Sequence, residues 1–235
     1  MTIVNVDTLP IERALAQEAA LLDAVAAAPD RRFLWLWESP QALVAPKKLA
    51  AKPEFAAAAK QSKARGWPVS IRSTGGDVTP QGPGVANVTH VYAAPPAKFF
   101  DIAKEYDALC SPIERALGPG ASRGWMDGAF CDGAYNVQWN NLKFAGTAMR
   151  FRPCREIKTR YAVLAHALML IEPPTKEAIS AINALLSDLG EERTISLNAH
   201  TGLSDPEDRA GFLARLSGEF RALGGPEPEQ PTLTS

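Results

Sequence analysis

Three cysteines, Cys110, Cys131 and Cys154, are spread over 235 residues with no close pair. That excludes a disulfide framework and a CxxC metal site. The three histidines, His90, His166 and His200, do not pair at helical spacing, so no zinc or iron site and no structural metal is expected. No apolar run approaches the roughly 20 residues that cross a bilayer, and no membrane association is expected. The first twenty residues lack a basic stretch followed by an apolar core, so no secretion signal is read and a cytoplasmic location is expected. Lysine plus arginine (25) nearly balance aspartate plus glutamate (26). A net charge of −1 gives no electrostatic reason to bind nucleic acid.

What is present is a mixture of helical and extended patterns. Ile11, Leu15, Leu22 and Val25 recur at helical spacing and predict a helix over 9–28, with Pro10 in its first turn. Phe33–Trp37 reads as a buried strand, 53–65 as an alanine-rich helix closed by Gly66, and 68–71 as a short strand. "VANVTHVY" alternates like a strand. A helix follows as far as Leu117, with a kink or break expected at Pro112 and with Cys110 as a core residue. Ala134–Trp139 and Lys143–Phe151 read as a hairpin around Asn140–Asn141. "YAVLAHALMLIE" is another apolar run, and 175–189 is an amphipathic helix ended by Gly190. "TISL" suggests a short strand. Ser204-Asp205-Pro206-Glu207 reads as a capping box for a last helix with an apolar face of Phe212, Leu213, Leu216, Phe220 and Leu223. Residues 224–235 are polar and proline-rich and are expected to be disordered. The pattern is α+β, a mainly antiparallel sheet flanked by helices, with residues 1–223 as one domain.

Four places can carry chemistry. "RSTGGDVTPQGPGVAN" (72–87) packs Gly75, Gly76, Gly82, Pro83 and Gly84 into ten positions. Its spacing fits neither a dinucleotide fingerprint nor a P-loop. It reads either as a surface hairpin with turn glycines or as a loop whose N–H groups, with Arg72, wrap a carboxylate, a phosphate or an acyl chain. Lys143 starts a strand otherwise built for burial, facing solvent or a pocket; Ala145–Ala148 after it are small enough to leave ligand room. Cys131 lies between two Asp-Gly pairs, hence on an exposed loop, as a reactive or an incidental thiol. Cys154, beside Arg152, Arg155 and Lys158, reads as part of a solvated basic turn. His166, alone in an apolar run, reads as a satisfied core histidine rather than a catalytic one. His90 and His200 support no functional argument.

The glycine loop, "NLKFAGTAMR" and "LAHALML", in this order, resemble segments of the lipoate–protein ligase and octanoyltransferase superfamily, which also holds biotin–protein ligase catalytic domains. The resemblance spans roughly Phe33 to Leu197. It implies that Lys143 is catalytic and that the glycine loop curls over an acyl chain. It further implies that Arg72, Gly75, Gly76, Asp77, Gln81, Gly82, Asn87, Gly146, Thr147, Ala148 and His166 bind substrate. The chain departs from the pattern: Gln81 stands where relatives carry histidine, Ala167 follows His166 in place of glycine, and Leu142 replaces an arginine. The late Pro-Cys-Gly of one octanoyltransferase class is absent, and the accessory C-terminal domain of some ligases is not expected. Cys131, twelve residues before Lys143, matches the place of the nucleophile in another octanoyltransferase class. Three activities follow from the resemblance. The one expected first is ATP- and magnesium-dependent ligation of lipoate or octanoate to a lysine of a lipoyl domain through an acyl-adenylate. The second is octanoyl transfer from acyl carrier protein through a Cys131 thioester. The third is a non-catalytic protein that binds acyl groups or lipoyl domains.

Overall fold

The computed structural model describes residues 5–96, 100–155, 157, 159–203, 205 and 208–233. Its strands are β1 (Asp7–Thr8), β2 (Phe33–Glu38), β3 (Ala42–Pro46), β4 (Val69–Arg72), β5 (Thr79–Gln81), β6 (Val85–Ala93), β7 (Ala121–Arg123), β8 (Val137–Trp139), β9 (Leu142–Pro153) and β10 (Tyr161–Leu170). The helices are α1 (Ile11–Ala27), α2 (Lys47–Ala50), α3 (Phe55–Ala64), α4 (Ile102–Leu117), α5 (Lys176–Asp188) and α6 (Arg209–Arg221). Seven strands form the main sheet in the order β1-β2-β6-β10-β9-β8-β7, antiparallel throughout except where β1 meets β2. A second sheet, β4-β3-β5, stands beside it. The α+β expectation, with a mainly antiparallel sheet, holds.

Strand periodicity sorts the side chains. On β10, Val163, Ala165, Ala167 and Met169 join a core with α4 and α6. The alternate residues Ala162 and Leu164 pack under α1, and Leu168 and Leu170 pack with the second sheet and α5. A period of two thus places β10 between separate cores. His166 falls on the α1 face. On β6 the same alternation sends Thr89 and Val91 toward α1, and Ala86 and Val88 toward α4 and α6. The Asn140–Asn141 turn forms as expected: both residues take positive φ (51° and 62°), which asparagine tolerates and this tight hairpin requires.

Several expectations are corrected. Helix α4 runs through Pro112 without a break, because Leu109, Cys110, Pro112 and Ile113 are all buried and packing holds the turn. "TISL" is not a strand: both backbone groups of Ile195 bond the Asn183 side chain, and the Ser196 N–H bonds the Gly128 carbonyl. Leu223 is 37 % exposed and so leaves the apolar face of α6. Of the expected capping box, Ser204, Pro206 and Glu207 lie outside the described residues, as does Lys158; α6 starts after Asp208. Cys154 is buried, its N–H bonded to the Arg160 carbonyl, and burial pushes its thiol up. Arg152 and Arg155 are exposed while Cys154 joins the core under α1 with Val25 and Ala26.

The segment expected to be disordered after Leu223 docks instead. Glu229 donates its N–H to the Arg32 carbonyl and accepts from the Leu34 N–H, extending the sheet beside β2. Gln230 bonds the Leu34 carbonyl, and Arg31 pairs with the Glu229 carboxylate at 2.6 Å. Buried Arg32 ties the turn down through the carbonyls of Phe220, Gly224 (2.7 Å) and Pro226 (3.2 Å). Edge pairing satisfies backbone groups that the strand would otherwise leave open, which polar composition cannot foretell. Arg32 also donates through Nε to His90 Nε2 at 2.9 Å, so His90 must be neutral there. Burial first, and Arg32 second, hold the His90 imidazole down at about 3.

Because unfolding returns His90 to an ordinary imidazole value, the unfolded chain binds the extra proton between the two values. The stability this neutral group supplies is complete above about pH 6.5 and is lost as pH falls toward 3, by up to about 1.4 kcal/mol per pH unit. Urea unfolding at pH 7, 5.5 and 4.5 should show that decline, and His90→Gln should flatten it.

Candidate active site

The site forms where the two sheets meet under the first turns of α1. A narrow slot there is lined by Ile11, Leu15, Trp37, Val44, Arg72, Thr79, Gln81, Asn87, Cys131, Gly146, Thr147, Ala148, His166 and Leu168. It encloses about 20 Å³, room for about one water. A wider depression of about 260 Å³ opens on the other side, lined by Gly75, Gly76, Tyr106, Cys131, Asp132, Gly133, Ala134, Tyr135, Asn136, Thr147, Ala148 and Met149. Cys131, Thr147 and Ala148 belong to both cavities. The thiol therefore stands at the partition between an apolar slot and an open face.

Cys131 does lie on a loop, but it is not exposed: 6 % of its surface is accessible. Its backbone takes φ 46°, a left-handed conformation unusual for a residue with a side chain. Two donors converge on the sulfur, Arg72 Nη2 at 3.3 Å and the Asp77 N–H at 3.1 Å. Arg72 Nη2 also donates to the Asp77 carbonyl at 2.8 Å, which locks the glycine turn to β4. Its buried Nε has no hydrogen-bond partner among the described residues.

Gly76 makes this convergence possible. Its φ is +101°, and a Cβ there would lie 2.5 Å from Cys131 Sγ and 2.6 Å from Arg72 Nη2. At Gly75, by contrast, a Cβ would meet nothing within 4 Å. The rest of the glycine stretch is not one loop. Thr79–Gln81 is a buried strand of the second sheet, and Gly82, at φ +144°, turns against Gln41 outside both cavities. Gln81 and Asn87 form a reciprocal amide pair (3.0 and 2.9 Å) in the slot wall. Asp77 serves through its backbone; its carboxylate faces outward to Arg193 at 2.7 Å.

Lys143 lines neither cavity. It is fully buried, and its ammonium donates to the carbonyls of Phe130 and Cys131, the latter at 2.9 Å. It sits 4.8 Å from the centre of the Phe130 ring, which stacks on His200. Burial pulls this lysine down to about 8, and burial with the nearby ammonium pulls His200 to about 4. Neutral His200 Nε2 accepts the Phe130 N–H at 3.2 Å. Lys143 is thus the post that holds the Cys131 loop. Gly146 lies beside it: a Cβ there would come into close contact, 3.4 Å, with Lys143 Cε and Nζ.

His166 is half-buried and lines the slot, rather than being sealed in the core. Its Nδ1 lies 2.9 Å from Glu18 Oε1 and its Nε2 lies 3.1 Å from Thr74 Oγ1. Sequence reasoning passed over Glu18, Thr74 and Tyr106. For Glu18 a signal exists: it interrupts the apolar stripe of α1 between Ala14 and Leu21, where an acid is buried at 3 % exposure. Among the described residues no three histidine, cysteine or acidic side chains could hold a metal ion.

The two glycines make a paired test. Gly76→Ala should destabilise the fold by about 1–3 kcal/mol and change the rate of Cys131 alkylation by about tenfold or more. Gly75→Ala should alter stability by no more than about 0.5 kcal/mol. Peptide mapping after iodoacetamide labelling separates Cys131 from the other two thiols.

Residues 10–202 match the family model of the lipoyl protein ligase A/B catalytic domain. An uncharacterised protein of Cupriavidus necator is 31% identical over 236 residues, covering 91% of this chain and 92% of that one. An octanoyl-[GcvH]:protein N-octanoyltransferase of Kyrpidia tusciae is 29% identical over 202 residues, covering 82% of this chain and 68% of that one. A crystal structure of lipoate-protein ligase A bound with ATP has the same fold, with a TM-score of 0.70 at 15% identity, covering 98% of this chain and 88% of that one. The family model spans both the Arg72–Asn87 stretch and the Lys143 strand, and the chain belongs to the lipoyl protein ligase A/B catalytic-domain family.

Proposed function

We propose that the protein is an octanoyltransferase that carries the acyl group as a thioester on Cys131 and delivers it to a lysine of a lipoyl-domain protein. The observation that carries this reading is the setting of the sulfur. A thiol shared by a slot and an open depression, with a guanidinium and an N–H aimed at it, suits a nucleophile that must become an anion twice per turnover. The relative from Kyrpidia tusciae, named for transfer from octanoyl-[GcvH] to protein, supports the same activity and points to a lipoyl-domain donor and acceptor. ATP-dependent ligation, expected first from the sequence, needs no thiol so placed.

In this reading the octanoyl tail enters between Ile11, Leu15, Val44 and Leu168, and because the slot encloses only about 20 Å³ these side chains must move apart to seat it. Burial of the chain in apolar surroundings contributes about 0.8 kcal/mol per methylene, which selects for length. The Cys131 thiolate attacks the acyl carbonyl, a carbon–sulfur bond forms, and the donor group leaves. A lysine amine arriving through the depression then attacks the thioester, an amide forms, and the thiolate departs to the donors that held it. Arg72 Nε, buried and unpartnered, is available to the carbonyl oxygen as negative charge develops there. Lys143 contributes by fixing the Cys131 loop.

Incubation with octanoylated GcvH, without ATP, should give an octanoyl adduct on Cys131 that intact-mass spectrometry detects and neutral hydroxylamine removes. Cys131→Ser should form no such thioester and lose at least about 10³-fold in transfer to an apo lipoyl domain. Transfer that requires free acid and ATP, and persists in Cys131→Ser, would replace this reading with the ligase. Octanoyl carrier protein as the donor in a parallel reaction identifies which carrier is used.

A further inference from the structure

A separate cavity of about 360 Å³ lies across β6 from the slot. Its walls are the turn between α1 and β2, the end of β6, the first turns of α4 and the turn Leu223–Pro226. Strand alternation keeps the two places apart: Asn87 faces the slot, whereas His90 and Tyr92 face this cavity. None of its lining residues lines the slot or the depression. The volume is in the range of small-molecule sites.

Two polar groups are incomplete there. Arg32 Nε donates to His90 Nε2, so the single proton of the neutral imidazole is on Nδ1. His90 is 3 % exposed, and this Nδ1–H has no acceptor among the described residues. A buried donor left open is costly and calls for an occupant that can accept. Arg32 bonds only neutral groups, the imidazole and the carbonyls of Phe220, Gly224 and Pro226. Among the described residues no carboxylate pairs with it, and burial works against its charge.

The other charges around the cavity are answered. Arg31 pairs with Glu229 at 2.6 Å, Arg160 with Asp30 at 3.7 Å, and Arg221, behind Arg32, with Glu227. Lys104 stands beside Glu105 and favours its ionised form; the same carboxylate accepts from the Tyr92 hydroxyl at 2.5 Å. The surplus is one positive charge, that of Arg32. The remaining walls are apolar or aromatic, among them Pro29, Tyr92, Ala93, Ala108 and Leu223. A mostly apolar cavity with one uncompensated cation and one open N–H selects for charge and for body at once.

We infer that this cavity is a second ligand site and that it takes a small organic monoanion, a carboxylate carried on an apolar body. The carboxylate answers Arg32 and accepts from His90 Nδ1, and the body lies against Tyr92 and Ala108. A phosphate dianion exceeds the one spare charge and leaves the apolar walls unused. The guanidinium that meets the ligand also holds the Gly224 and Pro226 carbonyls, and these residues form part of the wall. Occupancy therefore tightens the C-terminal segment along β2, because a ligand that binds only the docked form stabilises it. The site stands apart from Cys131 and does not depend on which acyl transfer the protein performs.

The probe is 4-(trifluoromethyl)benzoate, titrated into the full chain and followed by fluorine NMR, with the neutral 4-(trifluoromethyl)benzamide and inorganic phosphate as comparisons. The benzoate should saturate with a Kd of about 1 mM or tighter. The benzamide and phosphate should each bind at least about tenfold more weakly, since each lacks one half of what the cavity offers. Ala108→Phe, which fills the cavity, and Arg32→Gln, which removes the charge, should each weaken the benzoate by about tenfold or more. Amide hydrogen exchange over residues 224–233 should slow with the benzoate in the unmodified protein and not in Ala108→Phe. Circular dichroism melts identify a variant that has merely unfolded, and Ala108→Leu then supplies the second one. No saturation by the benzoate, equal binding of the benzamide or of phosphate, or undiminished binding in a folded cavity-filling variant would overturn the inference.

Discussion

A single buried ammonium holds the site together. Lys143 leaves β9 in the interior and lands on the carbonyls of Phe130 and Cys131, on a loop twelve residues earlier in the chain. An unpaired charge there would be costly, so the loop must close on it with its carbonyls inward. With the loop so held, Cys131 has a left-handed backbone and its sulfur meets Arg72 of β4 and the N–H of Asp77 in the glycine turn. The neighbouring His200 stays neutral, accepts the Phe130 N–H and leaves the ammonium without a competing charge.

Around that post, the site draws on parts of the chain that are far apart. Arg72 comes from the second sheet, His166 from the middle of the main sheet, Glu18 from the first helix and the glycine turn from between β4 and β5. Each is held by a hydrogen bond: Arg72 to the Asp77 carbonyl of the glycine turn, His166 to Glu18, and Glu18 in turn to Thr89. Such mutual fixing keeps donors oriented before any substrate arrives, which is what lowers the reorganisation a reaction demands. The opposite face of the sheet does quieter work, with Arg32 and neutral His90 anchoring the C-terminal segment along β2.

Much of the local structure was legible in the sequence because it depends on near neighbours. Alternation gave β6, the 3.6 period gave α1 and α5, and Asn140–Asn141 gave the hairpin. The motif order pointed to Arg72, Gly76, Cys131 and Lys143. Other features were hidden because their cause lies elsewhere in the chain. Thr79–Gln81 looks like loop until β3 supplies a partner. Residues 224–233 look disordered until β2 offers an open edge. Cys131 looks exposed between its Asp-Gly pairs until Lys143 pulls the loop inward.

By itself, the sequence determined most of the periodic elements, the glycine-rich stretch as a place of turns, and the residue types able to carry acyl chemistry. These follow from backbone sterics and side-chain chemistry, which act over a few residues. Only the tertiary structure decided which of those residues share a cavity. It set the Lys143 ammonium against the carbonyls of Phe130 and Cys131, Cys131 between slot and open depression, and Glu18 beside His166 across 148 positions of chain. Burial and hydrogen-bond partnership are set by what packs against a side chain, and no local pattern records that.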